Sequence, residues 1–127
     1  MRYMLLLNYP EMTAEELGPE ALAEGMAAFD AYAKSLNDSG ALISAEVLQS
    51  VAKSTTVTLR DGGLKVQDGP FADTKEQLGG TFVIDVPDLD AALAWAEKCP
   101  AAQYGVVEVR PSAIVFEDGQ WRGEFDR

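Results

Sequence analysis

The chain is predicted to be an α+β protein with its elements in the order β-α-β-β-(β)-β-α-β. Three observations carry that prediction. Apolar residues recur every three or four positions in two separate stretches, the period of a helix with one buried face. Around them lie short apolar or β-branched runs with the two-residue period of strands. Proline, glycine and Asp-Gly pairs punctuate the boundaries.

The first strand is YMLLLNY, residues 3–9. Tyr3, Leu5 and Leu7 fall on one face, Met4 and Leu6 on the other, so both faces are expected to be covered. Pro10 ends it. In the polar connection that follows, Thr13 and Glu16 have capping-box spacing. Pro19 suits a first helical position. Leu22, Met26, Phe29, Ala33 and Leu36 then form one apolar stripe on a helix, and Gly40 stops it.

ALISAEVL (41–48) is a second strand, and STTVTLR (54–60), rich in β-branched residues, is a third. Asp61-Gly62-Gly63 signals a hairpin turn, after which LKVQ returns as a short fourth strand. TFVID (81–85) is a fifth, apolar on both faces through Phe82, Val83 and Ile84. Pro87-Asp88 starts a second helix whose stripe is Leu89, Ala92, Leu93 and Ala96, and Cys99-Pro100 ends it. GVVEVRP (105–111) is the last regular strand. Residues 117–127 read as a less regular tail of the same domain, with Asp118-Gly119 placed to turn a small hairpin.

With the hairpin set aside, this order is the ferredoxin-like split βαβ pattern, βαββαβ with an inserted β-hairpin. Two helices cover one face of such a sheet. The strands at 3–7, 81–85 and 105–109 are apolar on both, so the second face needs a cover of its own. In a single domain of 127 residues, the economical cover is a second copy, sheet against sheet. The expected partner is therefore the chain itself, as a homodimer.

The net charge of −11 narrows the other partners. Such a surface repels phosphate backbones and anionic headgroups, so neither nucleic acid nor membrane is an expected partner. No apolar run approaches the ~20 residues of a membrane-spanning helix. The N-terminal segment lacks the long apolar region of a signal peptide. One cysteine, Cys99, leaves no intrachain disulfide and fits a reducing, cytoplasmic setting. There is no histidine. That removes Ser-His-Asp triads, Cys-His pairs and histidine metal sites. Acid–base chemistry is left to carboxylates, lysine, tyrosine or Cys99. Cys99 sits at a helix C-terminus, where the dipole disfavours a thiolate. No metal-ligand spacing is present, and neither a metal nor a cofactor is expected.

The densest motif is KVQDGPFADTKEQLGG, residues 65–80. Asp68-Gly69-Pro70-Phe71, Thr74-Lys75-Glu76 and Gly79-Gly80 lie within it. They accompany Met1-Arg2-Tyr3-Met4, Ala45-Glu46-x-Leu48, the run ending at Cys99-Pro100, and VEVRP at 107–111. Together these resemble the DGPF group of the YCII-related superfamily of small bacterial proteins, over roughly residues 1–116. The resemblance implies a dimeric α+β barrel of ferredoxin-like subunits. Some relatives are enzymes that use a His-Asp pair with the histidine on the first helix, in a His-x-x-Tyr-x-x-x-Leu pattern. Here Phe29 occupies that histidine position, three residues before Tyr32. The resemblance also implies a setting near extracytoplasmic-function sigma factors.

Two readings stand for the motif's charged residues. Asp68 is either a turn-forming residue or a carboxylate at a pocket mouth that serves as a general base when burial raises its pKa. Lys75 is either a solvated surface cation or the clamp for an anionic ligand. Phe71 anchors the loop as core or pocket wall, and Gly79-Gly80 admit a bulge or a close backbone approach. Glu46, Glu108 and Arg110 are either a structural ion-paired set at the dimer seam or the polar centre of a cleft. Tyr9 is a phenol for a ligand pocket or a packing residue. A small cleft-binding homodimer with carboxylate acid–base chemistry is one functional reading. A non-catalytic regulatory or interaction module is the other.

Overall fold

The structure, a computed structural model, describes residues 1–123. Residues 124–127, the end of the tail named above, lie outside the described residues. The elements are β1 (Arg2–Tyr9), α1 (Ala14–Leu17), α2 (Pro19–Ser39), β2 (Leu42–Val47), β3 (Thr55–Thr58), β4 (Lys65–Asp68), β5 (Gln77–Asp85), α3 (Leu89–Lys98), β6 (Val106–Pro111), β7 (Ile114–Glu117) and β8 (Gln120–Gly123). The protein is α+β with antiparallel sheets, consistent with the ferredoxin-like class. Its main sheet has four strands in the order β2-β5-β1-β6. β3–β4 and β7–β8 are separate two-stranded sheets.

Local sequence sets the boundaries. Thr13 Oγ1 accepts from the Glu16 N–H at 3.1 Å, and the Glu16 carboxylate accepts from the Thr13 N–H at 3.0 Å, closing the capping box of α1. Those hydrogen bonds hold the Glu16 carboxyl below its usual range. Pro19 begins α2, and Gly40 ends it at φ 82°, a left-handed position that glycine adopts without penalty. Asp88 caps α3 by accepting from the Ala91 N–H at 2.9 Å. Asp118-Gly119 turns β7 into β8 with positive φ at both residues, the signature of a tight hairpin turn.

The core lies between the sheet and the two longer helices. β1 contributes Tyr3, Leu5 and Leu7, and β5 contributes Phe82 and Ile84 from positions directly across from Leu5 and Tyr3. α2 lays Tyr32 and Leu36 on them, and α3 adds Ala92 and Ala96. The Tyr32 hydroxyl donates to the Trp95 carbonyl at 2.7 Å and ties α2 to α3.

Both helical stripes differ from their expected form. In α2, Leu22 and Met26 are exposed, Met26 by 66%. The helix outruns the sheet, so only its C-terminal half has a surface to bury against. In α3, Leu89 and Leu93 are exposed, and the short side chains of Ala92 and Ala96 carry the close contact. β5 starts at Gln77, four residues before the expected strand. Its Gly79 is the extra residue of a bulge, because Leu7 pairs with Gly80 and Asn8 with Leu78.

The opposite face of the main sheet carries Met4, Leu6, Thr81, Val83, Glu108 and Arg110. Leu6 stands directly between Thr81 and Glu108, and Met4 between Val83 and Arg110. None of these six side chains is in the buried core.

Candidate functional site

The most site-like geometry forms around Tyr9, the last residue of β1. The β5 bulge places Gly79 flat against its ring, so that a methyl group there would overlap the phenol carbon and oxygen. Gly105 closes in from the other side, against the Asn8 carbonyl and the Tyr9 Cβ. Tyr104 meets Tyr9 edge-on, with ring centroids 5.7 Å apart. Two glycines and an aromatic edge thus fix one phenol.

In front of it is a cleft of about 200 Å³ lined by Tyr9, Glu11, Met12, Leu48, Ser50 and Gly79. Glu11 is held by two donors. Its carboxylate accepts from the Ser50 hydroxyl at 2.8 Å and from the Val51 N–H at 2.9 Å. The short 3₁₀ turn at 51–53 is thereby fastened to the chain after β1. On the far wall the Leu48 N–H donates to the Gly79 carbonyl at 2.8 Å. Burial pushes the Tyr9 phenol above its ordinary value, and the charge of Glu11 adds to the rise. Burial, then Tyr9, does the same to Tyr104. Both phenols therefore stay protonated at neutral pH and serve as hydrogen-bond donors rather than bases. Met12 and Leu48 give the cleft an apolar flank.

A larger hollow, of about 540 Å³, lies along Leu17–Glu24. It is formed by one contiguous stretch of chain and has no residues converging from elsewhere in the fold, so the Tyr9 cleft is the better candidate for small-molecule chemistry.

Of the residues singled out in the sequence, Tyr9 and Gly79 line this cleft, and the other candidate site residues fall into two further groups. Glu108 and Arg110 sit on the open face of the main sheet, 3.7 Å apart and with side chains 55% and 68% exposed. Such a pair adds little stability. Glu46 pairs with Thr81 on the same face, at the β2 edge. Asp68, Phe71 and Lys75 belong to the β3–β4 hairpin and the loop after it. Asp68 ends β4 opposite Thr55 and is exposed. Gly69 follows at φ 103°, donating its N–H to the Ser54 carbonyl at 2.8 Å. Phe71 is 82% exposed, with the Arg60 guanidinium 5.8 Å from its ring centroid. Gln77 Nε2 donates to the Thr74 carbonyl at 2.7 Å, and the Thr74 hydroxyl donates to the Glu76 carbonyl at 2.6 Å, so the loop is internally tied. Asp68, Glu46 and Glu108 do not line one cleft.

Phe29, which takes the first-helix position where the resemblance would place a histidine, packs partly buried against the core. Cys99 is buried, and burial raises its thiol pKa against the lowering effect of two backbone hydrogen bonds. Among the described residues no group of three or more histidine, cysteine, aspartate or glutamate side chains is placed to hold a metal. Among the described residues, too, no helix is long and apolar enough to cross a membrane. Glu11, Met12 and Ser50 were not singled out in the sequence, and Leu48 only as part of the Ala45-Glu46-x-Leu48 run. Their only local sign is Ser50 just before the 51–53 turn, a capping position.

Fold and cleft together define a small antiparallel α+β protein with a tyrosine-lined site and an unusually exposed hairpin. The YCII-related domain family matches over residues 1–114, and the chain belongs to that family. An uncharacterised protein of Rhizobium meliloti (strain 1021) is 44% identical over 72 residues, which cover 54% of this chain and 58% of that relative. The chain thus spans little more than half the length of this curated relative.

Proposed function

We propose that the protein is a homodimer of ferredoxin-like βαββαβ subunits, each with an inserted hairpin, whose main sheets face each other as a dimeric α+β barrel. We further propose that it binds a small molecule in the Tyr9 cleft. The observation that carries the binding reading is the fixed phenol. Gly79, Gly105 and Tyr104 hold Tyr9 in one place beside a carboxylate that is itself held by two donors. This is the preorganisation that a binding site needs.

The lining selects the ligand. Tyr9 offers a donor, Glu11 an acceptor and a negative charge, and Met12 with Leu48 an apolar wall. A small molecule with an amine or hydroxyl head and a short apolar body fits this chemistry, and a carboxylate does not. A carboxylate acid–base step in the cleft falls to Glu11. Asp68 and Lys75 reach a ligand only if a second copy brings them to it. Titration of the ¹⁵N-labelled protein with n-butylamine and with butyrate tests the reading. Amide shifts at Ser50, Val51, Gly79 and Gly105 caused by the amine alone support it. Shifts caused by butyrate alone, or none at these four, refute it.

A regulatory or interaction module is the second reading. The exposed apolar hairpin favours it, and the family resemblance adds a sigma-factor setting. Affinity capture from the native host with the wild-type chain and with Phe71→Ala tests it. A captured protein lost in the variant supports a module, and identical captures count against it.

A further inference from the structure

The hairpin packs on almost nothing of its own chain. No hydrophobic residue from Ile43 to Thr81 belongs to the buried core or packs against it. Among the described residues, β3 and β4 pair only with each other. Val57, Leu59, Leu64, Val66 and Phe71 are all well exposed. So much apolar surface on one projecting element calls for a cover. Arg60, in the turn after β3, lies over the exposed ring of Phe71, which follows the last residue of β4. Among the described residues Arg60 makes no ion pair. The result is a knob that is apolar and cationic at once.

The opposite surface exists elsewhere on the same chain. The hollow at the α1–α2 joint is lined by Leu17, Gly18, Pro19, Glu20, Ala21 and Glu24. It sets the apolar side chains of Leu17, Pro19 and Ala21 beside two carboxylates. Residues 11–33 contain six acidic side chains and no lysine or arginine, whereas Lys53, Arg60, Lys65 and Lys75 are four of the chain's ten cations. No hairpin residue lines the hollow of its own copy.

We propose that the β3–β4 hairpin is an arm that crosses to a second copy and seats its Arg60–Phe71 pair in the acidic, apolar hollow at that copy's α1–α2 joint. Two complementary surfaces on one chain close into a twofold pair, arm to hollow and hollow to arm. Opposite charges set the register, and the buried aromatic supplies the contact. The proposal rests on the homodimer reading but adds a contact that sheet-to-sheet stacking does not require.

Cross-linking separates the two. Ala72 and Ala21 are exposed neighbours of the knob and the hollow, and the native Cys99 is buried. Ala72→Cys copies with one tag are mixed with Ala21→Cys copies carrying another and then mildly oxidised. A disulfide joining the two tags is the expected result. A chain with both substitutions that closes its disulfide within one copy overturns the arm. So does a dimer that forms no such bond, and so does attachment of Ala72→Cys to a different host protein. In those cases the sheet-faced dimer stands, whereas a wild-type chain that sediments as a monomer overturns both. In parallel, Glu20→Lys with Glu24→Lys is expected to weaken the dimer by about tenfold or more, and adding Arg60→Glu to recover most of it. An unchanged dissociation constant counts against the proposal.

Discussion

At the scale of single residues, the architecture leans on positions where there is no room. Gly79 is the clearest. Its bulge brings the backbone onto the Tyr9 ring, and any side chain must displace a phenol that Tyr104 meets edge-on and whose Cα and Cβ Gly105 crowds. Gly79→Ala is therefore expected to destabilise the fold by about 1–3 kcal/mol, the usual penalty for forcing atoms into a packed site. Urea denaturation measures it. Tyr9→Phe does not relieve the clash, since the ring carbon stays, whereas Tyr9→Ala in the Gly79→Ala background recovers part of the loss. Tyr32 gives a second residue-scale expectation. Its hydroxyl donates to the Trp95 carbonyl, and burial pushes its pKa well above the ordinary value. The folded state thus favours the neutral phenol. Its contribution is full below the unfolded value of about 10 and is lost as pH rises from there through the folded value. Stability should fall in strongly alkaline solution, and fall less steeply in Tyr32→Phe. That variant loses about 1 kcal/mol at neutral pH, the net worth of one hydrogen bond.

At the scale of elements, the two halves of α2 should respond differently to the same change. Leu36 is fully buried against the sheet, whereas Met26 is 66% exposed. Leu36→Ala is expected to remove about 2–5 kcal/mol. Met26→Ala should leave chain stability within about 0.5 kcal/mol, as exposed substitutions do. Chemical denaturation of the two variants checks the contrast. The stripe Leu22–Met26–Phe29–Ala33–Leu36 was legible as a helix face, because periodicity is local. Which half meets the sheet depends on where the sheet ends, and no spacing within α2 carries that. The caps were equally legible, since Thr13–Glu16, Pro19 and Gly40 each act within a few residues. β5 was legible from Thr81 onward but not from Gln77. Gly79-Gly80 reads as a bulge or close approach, and the structure has both there, but only the partners Asn8 and Tyr9 supply for Leu78 and Gln77 carry the strand back beyond it. The cleft was the least legible part. Glu11 and Ser50 are 39 positions apart, and their contact exists only once β1 and β2 flank β5. Tyr9 was readable as a candidate because it ends an apolar strand, whereas its carboxylate neighbour in a polar connection resembled any surface glutamate.

At the scale of the whole molecule, the unsolved element is the second face of the main sheet. Leu6 and Val83 are only partly covered there, and Met4 is exposed, beside Glu108 and Arg110. The proposed cover is the same face of a second copy. Burying one leucine of this kind stabilises by about 1.5–3 kcal/mol relative to leaving it in water. Leu6 is already partly covered in its own copy, so each copy gains about a third of that, about 1–2 kcal/mol in a twofold pair, or roughly five- to thirtyfold in the dimer dissociation constant. Leu6→Lys removes that contribution and adds two ammonium groups to the seam, which desolvation disfavours further. Within one copy the lysine has open solvent above it and Glu108 as its neighbour, so the subunit itself has no reason to unfold. Sedimentation at micromolar concentration should therefore find the wild-type chain as a dimer and Leu6→Lys as a monomer, with the same far-ultraviolet circular dichroism. A wild-type monomer, or a variant that remains a dimer, would place the cover elsewhere and leave the two-sided apolar pattern of β1 without its explanation.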